Sequence, residues 1–257
     1  MQGSSSGKIG LNRLQHVFEA GFAIRCGDLP ALAGDLSFLS VHEREYYDRL
    51  QVGKRKLSFL LGRMAAKTAI SELLGRQDLL SIEIGFGVFQ FPVVKTDVPQ
   101  NLQVSISHCN EVAVALAFPE EHPMGIDIES IDQNKTKVIK GLVVAGEAQV
   151  IMDTGLLDAA GYTALWTIKE ALSKIIRTGL TIESALLEVK TAVRMGDVYI
   201  STFRHFLQYK AISFPCDGYM CSIVLPKGTS PALDDFLSAA APAFMAAGLK
   251  NGTISVR

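Results

Sequence analysis

The chain has 257 residues, of which 48% are hydrophobic and 20% charged, and its 25 basic and 26 acidic side chains give a net charge of −1. This composition excludes collagen, wholesale disorder and a small disulfide-stapled scaffold. At roughly 150 residues per domain, the length predicts one large domain or two small ones. The near-zero net charge gives no electrostatic footprint for nucleic acid over the whole molecule, so we expect no nucleic-acid partner.

Sequence features of membrane and secreted proteins are also missing. The chain has no run of about 18 uncharged apolar residues and no signal-peptide pattern, so we expect no membrane partner. Its four cysteines are scattered without a CxxC pair, which predicts a reduced, cytoplasmic location. Residues 1–10, which include Gly3-Ser4-Ser5-Ser6-Gly7, are predicted to be a flexible leader.

The first predicted element is a helix between Glu43 and Leu74, where apolar residues recur at three- and four-residue steps before Gly75. Alternating apolar residues then predict strands over 81–89, 103–107 and 112–118. Pro119 and Pro123 break the pattern, which ends an N-terminal half at residues 11–120.

A C-terminal half, residues 121–230, begins with a predicted strand over 125–129 and a polar, helical stretch. A strong helix over 162–177 is followed by four strand-like segments, at 187–193, 198–207, 209–214 and 219–225. The tail, residues 231–257, is predicted to be a helical extension that starts at Ala232 and is interrupted by Pro242.

A weak internal similarity links the two long helices. Residues 61–67 align without gaps to residues 168–174, which places Arg63 on Glu170 and Lys67 on Lys174. The similarity is either chance between two amphipathic helices or a sign of two similar α+β halves.

Two carboxylates mark the segment Gly125-Ile126-Asp127-Ile128-Glu129. A strand sends Ile126 and Ile128 to one face and the two acidic residues to the other, about 7 Å apart along the strand. Two like charges this close favour a cation or a raised pKa, and carboxylate oxygens are ligands that Mg²⁺ uses. The alternative is a solvated strand face.

The strong helix places Trp166, Glu170 and Lys174 in one row, with Lys169 one position away. One hypothesis gives Glu170 a metal or base role and directs Lys174 at a phosphate. The other is a surface Glu–Lys pair.

A strand that ends in Ser107-His108-Cys109 presents a hydroxyl, an imidazole and a thiol. Neighbouring strand residues point to opposite faces, so Cys109 and His108 are poorly placed as a nucleophile and its base. A histidine that donates to a phosphate suits the position better, and an ordinary surface histidine is the alternative.

Taken in chain order, the Ser107-His108 strand, the Gly125–Glu129 segment and Trp166-x-x-Lys169-Glu170-x-x-x-Lys174 resemble the Sfp-type 4′-phosphopantetheinyl transferases. Residues 56–70, with Gly62-Arg63, are similar to that family's N-terminal motif, and the resemblance runs from about residue 44 to 225. It implies an α+β fold of two similar halves related by a pseudo-twofold in one chain.

The resemblance also implies an activity. Such enzymes transfer the 4′-phosphopantetheine arm of coenzyme A to a serine of an acyl or peptidyl carrier protein and release adenosine 3′,5′-bisphosphate. By resemblance Asp127, Glu129 and Glu170 hold Mg²⁺, and Glu170 is also the base, acting with Asp127 and Lys174. Two sets of residues are expected to bind the coenzyme's phosphates: Ser107, His108, Lys169 and Lys174, and, for the 3′-phosphate, Lys54, Arg55, Lys56 and Arg63. We expect a monomer.

The chain departs from the family at residues 87–92, where many relatives carry a small or basic residue between a glycine and a proline. A basic contact to the adenylate end is therefore absent or supplied by another residue such as Lys95. The stretch from Asp132 to Asp158 is the expected carrier contact. Its apolar residues either make that contact or belong to the core: Val143, Val144, Val150, Ile151 and Met152.

Two other functions are alternatives to this transfer. A non-catalytic module that binds coenzyme A or a carrier protein would keep the same fold. A glycoside hydrolase with a Gly-Ile-Asp-Ile strand needs acidic residues at positions 124 and 131, where this chain has Met124 and Ile131.

Overall fold

The computed structural model describes residues 4–14, 16–98 and 101–248, with side chains omitted at 180 and 246–248. It forms two compact units. The first contains the residues up to His122 and those from Ser230 onward, and the second is Pro123–Thr229. Both units combine an antiparallel sheet with helices, so the predicted α+β class is confirmed. Within the described residues, none of the helices combines the length and apolarity that crossing a membrane would need.

The first unit is a five-stranded antiparallel sheet with a long helix on one face and a short hairpin at its side. Its strands are β1 (Ser5–Arg13), β2 (His16–Cys26), β3 (Glu83–Phe86), β4 (Pro92–Lys95), β5 (Leu102–Cys109), β6 (Val112–Pro119) and β12 (Ser230–Pro231). Its helices are α1 (Leu29–Ala33), α2 (Val41–Arg49), α3 (Gly53–Leu74) and α7 (Asp234–Gly248). The sheet order is β12-β1-β2-β6-β5, and β3 and β4 form a separate pair.

Both faces of this sheet are covered by helices at β2. Helix α3 packs on β2, β5 and β6, whereas α7 packs on β1 and β2. On β2, Ala23 belongs to the core under α3, and its neighbour Phe22 meets Phe236 of α7 edge to face. A strand buried on both sides keeps no polar face.

The flexible leader predicted for the start of the chain was wrong, whereas the helix predicted in the tail is present without an interruption. Residues 5–10 lie in β1 and pair with β2 along its whole length, so they are not a flexible leader. Ile9 and Leu11 lie two residues apart on one face of β1, and both are fully buried. Their burial orders a segment whose Gly/Ser composition alone predicts flexibility. Helix α7 continues through Pro242, whose exposed position lets Phe236 and Phe244 stay buried on the other side. Residues 1–3 of the leader and 249–257 of the tail lie outside the described residues.

Two interior boundaries also differ from prediction. The helix expected over 43–74 is two helices, because Leu50 ends α2 in an extended conformation. The strand expected over 81–89 stops at Phe86, and residues 87–91 turn the chain into β4.

The second unit is also a five-stranded antiparallel sheet with a long helix packed on it, but here the hairpin forms one edge of the same sheet. Its strands are β7 (Gly125–Ser130), β8 (Val189–Met195), β9 (Val198–Phe203), β10 (Tyr209–Cys216) and β11 (Tyr219–Pro226), in the order β7-β11-β10-β9-β8. Its helices are α4 (Gln133–Lys140), α5 (Glu147–Met152) and α6 (Asp158–Ile176), with 3₁₀ turns at Gly179–Thr181 and Ser184–Leu187. Helix α6 packs on β7 and β11.

The two units share an order of elements and a packing device. Each contains, in chain order, a strand (β2 or β7), helices, a hairpin and two further strands, and the last of these strands (β6 or β11) pairs with the first. A glycine in the first strand lets the long helix approach: a Cβ would lie 1.9 Å from the Ala69 carbonyl oxygen at Gly21, and 2.0 Å from that of Ala171 at Gly125.

A buried ion pair recurs at the same place in each unit. Lys67 contacts Glu43 at 2.6 Å, and Lys169 contacts Glu147 at 2.9 Å. Each glutamate also accepts the backbone N–H of the third residue before it and of a hairpin-strand residue, Ile84 or Val189. Lys67 therefore corresponds to Lys169, and the alignment that set it on Lys174 was wrong by five positions.

Candidate active site

Strand β7 holds the two carboxylates found in the sequence. It pairs with β11, where Asp127 lies opposite Ser222. Ile126 and Ile128 are fully buried, as the period of two requires. Asp127 is only 5% exposed, which contradicts the alternative of a solvated strand face at this position.

Helix α6 brings Lys174 to this strand because Gly125 has no side chain to hold the helix away. The Lys174 ammonium donates to Asp127 Oδ1 and to the Ile126 carbonyl oxygen, both at 2.8 Å. A quarter of the Lys174 side chain remains exposed, so the ammonium group is both fixed and accessible. The alternative of an ordinary surface Glu–Lys pair does not describe this contact, because the partner is a buried aspartate.

Glu170 lies in the same cluster. The pKa of its carboxyl is raised from 4.5 to about 7, mainly by burial and in addition by the negative charges of Asp127 and Glu129, while Lys174 opposes the rise. These influences show that the three predicted metal ligands are close enough to feel one another's charge. A carboxyl group with a pKa near neutrality suits a general base.

The three carboxylates of Asp127, Glu129 and Glu170 are suitable ligands for a divalent cation, but two of them contact lysines. Within residues 4–14, 16–98 and 101–248, no group of three or more His, Cys, Asp or Glu side chains is arranged as a metal site. Asp127 contacts Lys174, and Glu129 contacts Lys135 at 2.8 Å. A cation would relieve the repulsion that raises the pKa of Glu170.

Lys169 does not join this cluster. Its side chain is 4% exposed, and the ammonium contacts Glu147 and both the carbonyl and hydroxyl oxygens of Ser184. These contacts occupy the three donors of an ammonium group. The structure thus gives Lys169 a role in the core of the second unit, in place of the expected contact with the coenzyme.

The first unit contains a cavity of about 700 Å³ beside α3. Successive turns of the helix supply Lys54 and Arg55, then Ser58 and Phe59, then Gly62 and Arg63. The opposite wall comes from Tyr46, Leu50, Val52, Phe86, Gln90, Pro92, Ile106 and His108. This volume lies within the range of small-molecule sites.

The structure brings four predicted coenzyme-binding residues to this cavity: Lys54, Arg55, Arg63 and His108. Ser107 is not among its lining residues, because it lies between Ile106 and His108 on β5 and faces the other side. Lys56 is directed at the Tyr47 ring, 5.0 Å from its centroid. Lys95, considered as a contact to the adenylate end, instead pairs with Glu83 at 2.9 Å.

Sequence reasoning missed the aromatic wall of the cavity. The Arg63 guanidinium lies 4.7 Å from the Phe59 ring centroid and 4.8 Å from that of Phe86. Tyr46 packs against both rings at about 5 Å. The spacing of Phe59 and Arg63, one helical turn apart, was the available signal.

Comparison with known proteins bears on the second unit most directly. Residues 123–224 match the model of the 4′-phosphopantetheinyl transferase superfamily. This segment includes β7, α6 and the whole carboxylate cluster.

Two curated relatives carry the same name. Enterobactin synthase component D of Escherichia coli O157:H7 is 33% identical over 133 residues, which are 50% of this chain and 59% of that protein. Its namesake from Salmonella typhi is 29% identical over 157 residues, covering 58% of this chain and 62% of that protein. The chain thus spans less than two thirds of the length of these relatives.

Among solved structures, a holo-(acyl-carrier-protein) synthase from Bacillus anthracis str. Ames in complex with CoA (3′,5′-ADP) is 27% identical. The match covers 44% of this chain and 96% of that one. The TM-score of this match is 0.34. In sequence, the segment 123–224 of this chain is similar to the 4′-phosphopantetheinyl transferase superfamily.

Proposed function

We propose that the chain transfers the 4′-phosphopantetheine arm of coenzyme A to a serine of an acyl or peptidyl carrier protein, with Mg²⁺ as cofactor. The observation that carries the proposal is the cluster of Asp127, Glu170 and Lys174 within the segment that matches the family. Similarity to the family alone would not identify the reacting groups. The cluster supplies two of them, the ammonium group of Lys174, fixed on Asp127, and the carboxyl of Glu170, whose pKa is near neutrality.

In the proposed reaction, the serine hydroxyl oxygen attacks the phosphorus that bears the pantetheine arm. The bond from that phosphorus to the adenosine bisphosphate breaks, and Glu170 accepts the hydroxyl proton. Lys174 neutralises phosphate oxygens from its position on Asp127. Asp127, Glu129 and Glu170 would hold Mg²⁺, which supplies further neutralisation of the pyrophosphate.

We assign the nucleotide end of coenzyme A to the cavity of the first unit. Lys54 and Arg55 lie at its exposed edge, His108 on the strand across from them, and Arg63 in its wall. Cationic side chains next to an aromatic surface suit a ligand that combines phosphates with a purine base.

For the carrier protein we propose a contact on the stretch 132–158, through different residues from those first considered. Val143, Val150, Ile151 and Met152 belong to the core of the second unit or pack against it. Exposed apolar side chains are instead Val138, Leu142 and Leu157, at 70%, 41% and 61%. Helix α4 also carries three exposed lysines: Lys135, which pairs with Glu129, Lys137 and Lys140.

The test is incubation with coenzyme A, Mg²⁺ and a panel of apo carrier proteins from fatty acid, polyketide and nonribosomal peptide synthesis, followed by intact mass measurement. The proposal predicts that at least one carrier gains the mass of the phosphopantetheine arm and that EDTA prevents the gain. Asp127→Ala and Glu170→Ala should each abolish it in folded protein. An unmodified panel would contradict the proposal.

A non-catalytic binding module is the second candidate, favoured by the lysines that engage Asp127 and Glu129. It predicts calorimetric binding of coenzyme A or of a carrier protein without transfer. The same panel therefore separates the two functions. For the chain as a whole we propose a cytoplasmic monomer, and the described residues contain no disulfide between the four cysteines.

A further inference from the structure

Arg63 is a buried cation whose hydrogen-bonding capacity is not used. Its side chain is 6% exposed, and its Nε and Nη2 groups are buried with no hydrogen-bond partner among the described residues. It lies in the wall between the 700 Å³ cavity and a second cavity of about 290 Å³. Phe86, which is 43% exposed, covers one side of the guanidinium. Unpartnered buried donors are costly, so such a group suggests a ligand that completes it.

Glu43 supplies the countercharge without engaging those donors. The distance from Arg63 Nε to Glu43 Oε1 is 3.5 Å, and the two atoms form no hydrogen bond. The carboxylate accepts instead from the Ile84 and Ser40 backbone N–H groups and from Lys67. A capping box at Ser40 further fixes the start of α2, which carries Glu43.

The second unit shows what the ion pair does without the arginine. Glu147 pairs with Lys169 and accepts from backbone N–H groups equivalent to those that Glu43 uses, yet the position one turn before Lys169 is Leu165, a buried apolar residue. The pair therefore holds a helix to its hairpin in both units. Arg63 is an addition in the unit that has the large cavity.

We propose that Glu43, held by Lys67, is a positioning residue that orients Arg63 at the cavity wall with its Nε and Nη2 donors free for a phosphate oxygen of coenzyme A. This inference rests on the proposed function. A neutral residue at position 43 would leave Arg63 without a fixed countercharge, and the guanidinium would turn toward solvent.

The test compares Glu43→Gln with its matched control, Glu147→Gln. Both variants break an equivalent buried pair and should lower the melting temperature alike. Only Glu43→Gln should weaken coenzyme A binding by calorimetry, by about tenfold, which is the low end for one charged hydrogen bond. The KM for coenzyme A should rise in the same variant while kcat stays unchanged. If Glu43→Gln does not fold, Glu43→Gln combined with Lys67→Met removes both buried charges and makes the same prediction.

The outcomes separate this inference from the proposed function. Equal affinities for coenzyme A in the two glutamine variants would overturn the positioning role while leaving the function intact. An unsubstituted chain that does not bind coenzyme A would overturn the function itself. Retained affinity in Arg63→Met would also contradict the inference, because no donor would remain to be positioned.

Discussion

The substitution Gly125→Ala tests most directly how the second unit assembles its site. The added Cβ would lie 2.0 Å from the Ala171 carbonyl oxygen, and real contacts of this kind do not fall below 3.0 Å. Helix α6 must therefore retreat from β7 by about 1 Å. Overpacking costs about 1–3 kcal/mol, which lowers the melting temperature of a chain this long by roughly 2–12 °C.

The retreat should affect catalysis as well as stability. Lys174 reaches Asp127 and the Ile126 carbonyl from α6 at 2.8 Å, so a shift of this size breaks both contacts. A misplacement of about 1 Å can cost about 100-fold in rate. We expect the transfer rate to fall at least tenfold at a temperature well below the melting transition, measured by intact mass with saturating coenzyme A.

Gly21→Ala is the matched control, because its Cβ would lie 1.9 Å from the Ala69 carbonyl oxygen on α3. It should lose as much stability as Gly125→Ala and keep a transfer rate close to that of the unsubstituted chain. Gly10→Ala, where the Cβ would meet only the Ala232 side chain at 3.9 Å, should change neither quantity. Equal rate losses in Gly21→Ala and Gly125→Ala would refute the reasoning, since the effect would then follow stability alone.

The remaining predictions concern charge. Because the pKa of Glu170 is raised from 4.5 to about 7, the folded metal-free protein holds its proton more tightly than the unfolded chain. The resulting stabilisation is present below about pH 4.5 and is lost as the pH rises to about 7; after a discount for solvent screening it amounts to about 1–2 kcal/mol. Urea unfolding in EDTA should show that the free energy of unfolding falls over this pH range in the unsubstituted chain and not in Glu170→Gln. The same pH dependence in both proteins would contradict the prediction. Lys169→Met should lower stability by about 3–5 kcal/mol by leaving Glu147 buried and unpaired, with an unchanged KM for coenzyme A in the folded fraction. A raised KM would restore Lys169 to the coenzyme site.

The sequence could predict those parts of the site that depend on local periodicity. Alternation along β7 set Ile126 and Ile128 apart from Asp127, and helical spacing put Glu170 and Lys174 in one row. Each inference needed only the geometry of one element. The contact between strand and helix depended in addition on Gly125, whose importance appears only once α6 lies against it.

Other features depended on partners distant in sequence. Lys169 and Lys174 belong to one short motif, yet Glu147 draws the first into the core while Asp127 holds the second at the site. The aromatic wall joins Tyr46, Phe59 and Phe86 from two helices and a hairpin strand, and no local pattern relates them. The Gly/Ser-rich start of the chain is ordered through its pairing with β2, so its composition alone misled.

The central claim is a transfer in which one coenzyme A molecule is consumed for each modified carrier serine. The most direct measurement quantifies modified carrier protein and released adenosine 3′,5′-bisphosphate in the same reaction, over time and with Mg²⁺ present. We predict that the two products appear in equal amounts and that neither appears with Asp127→Ala. Bisphosphate released without carrier modification, or a carrier modified without bisphosphate release, would contradict it.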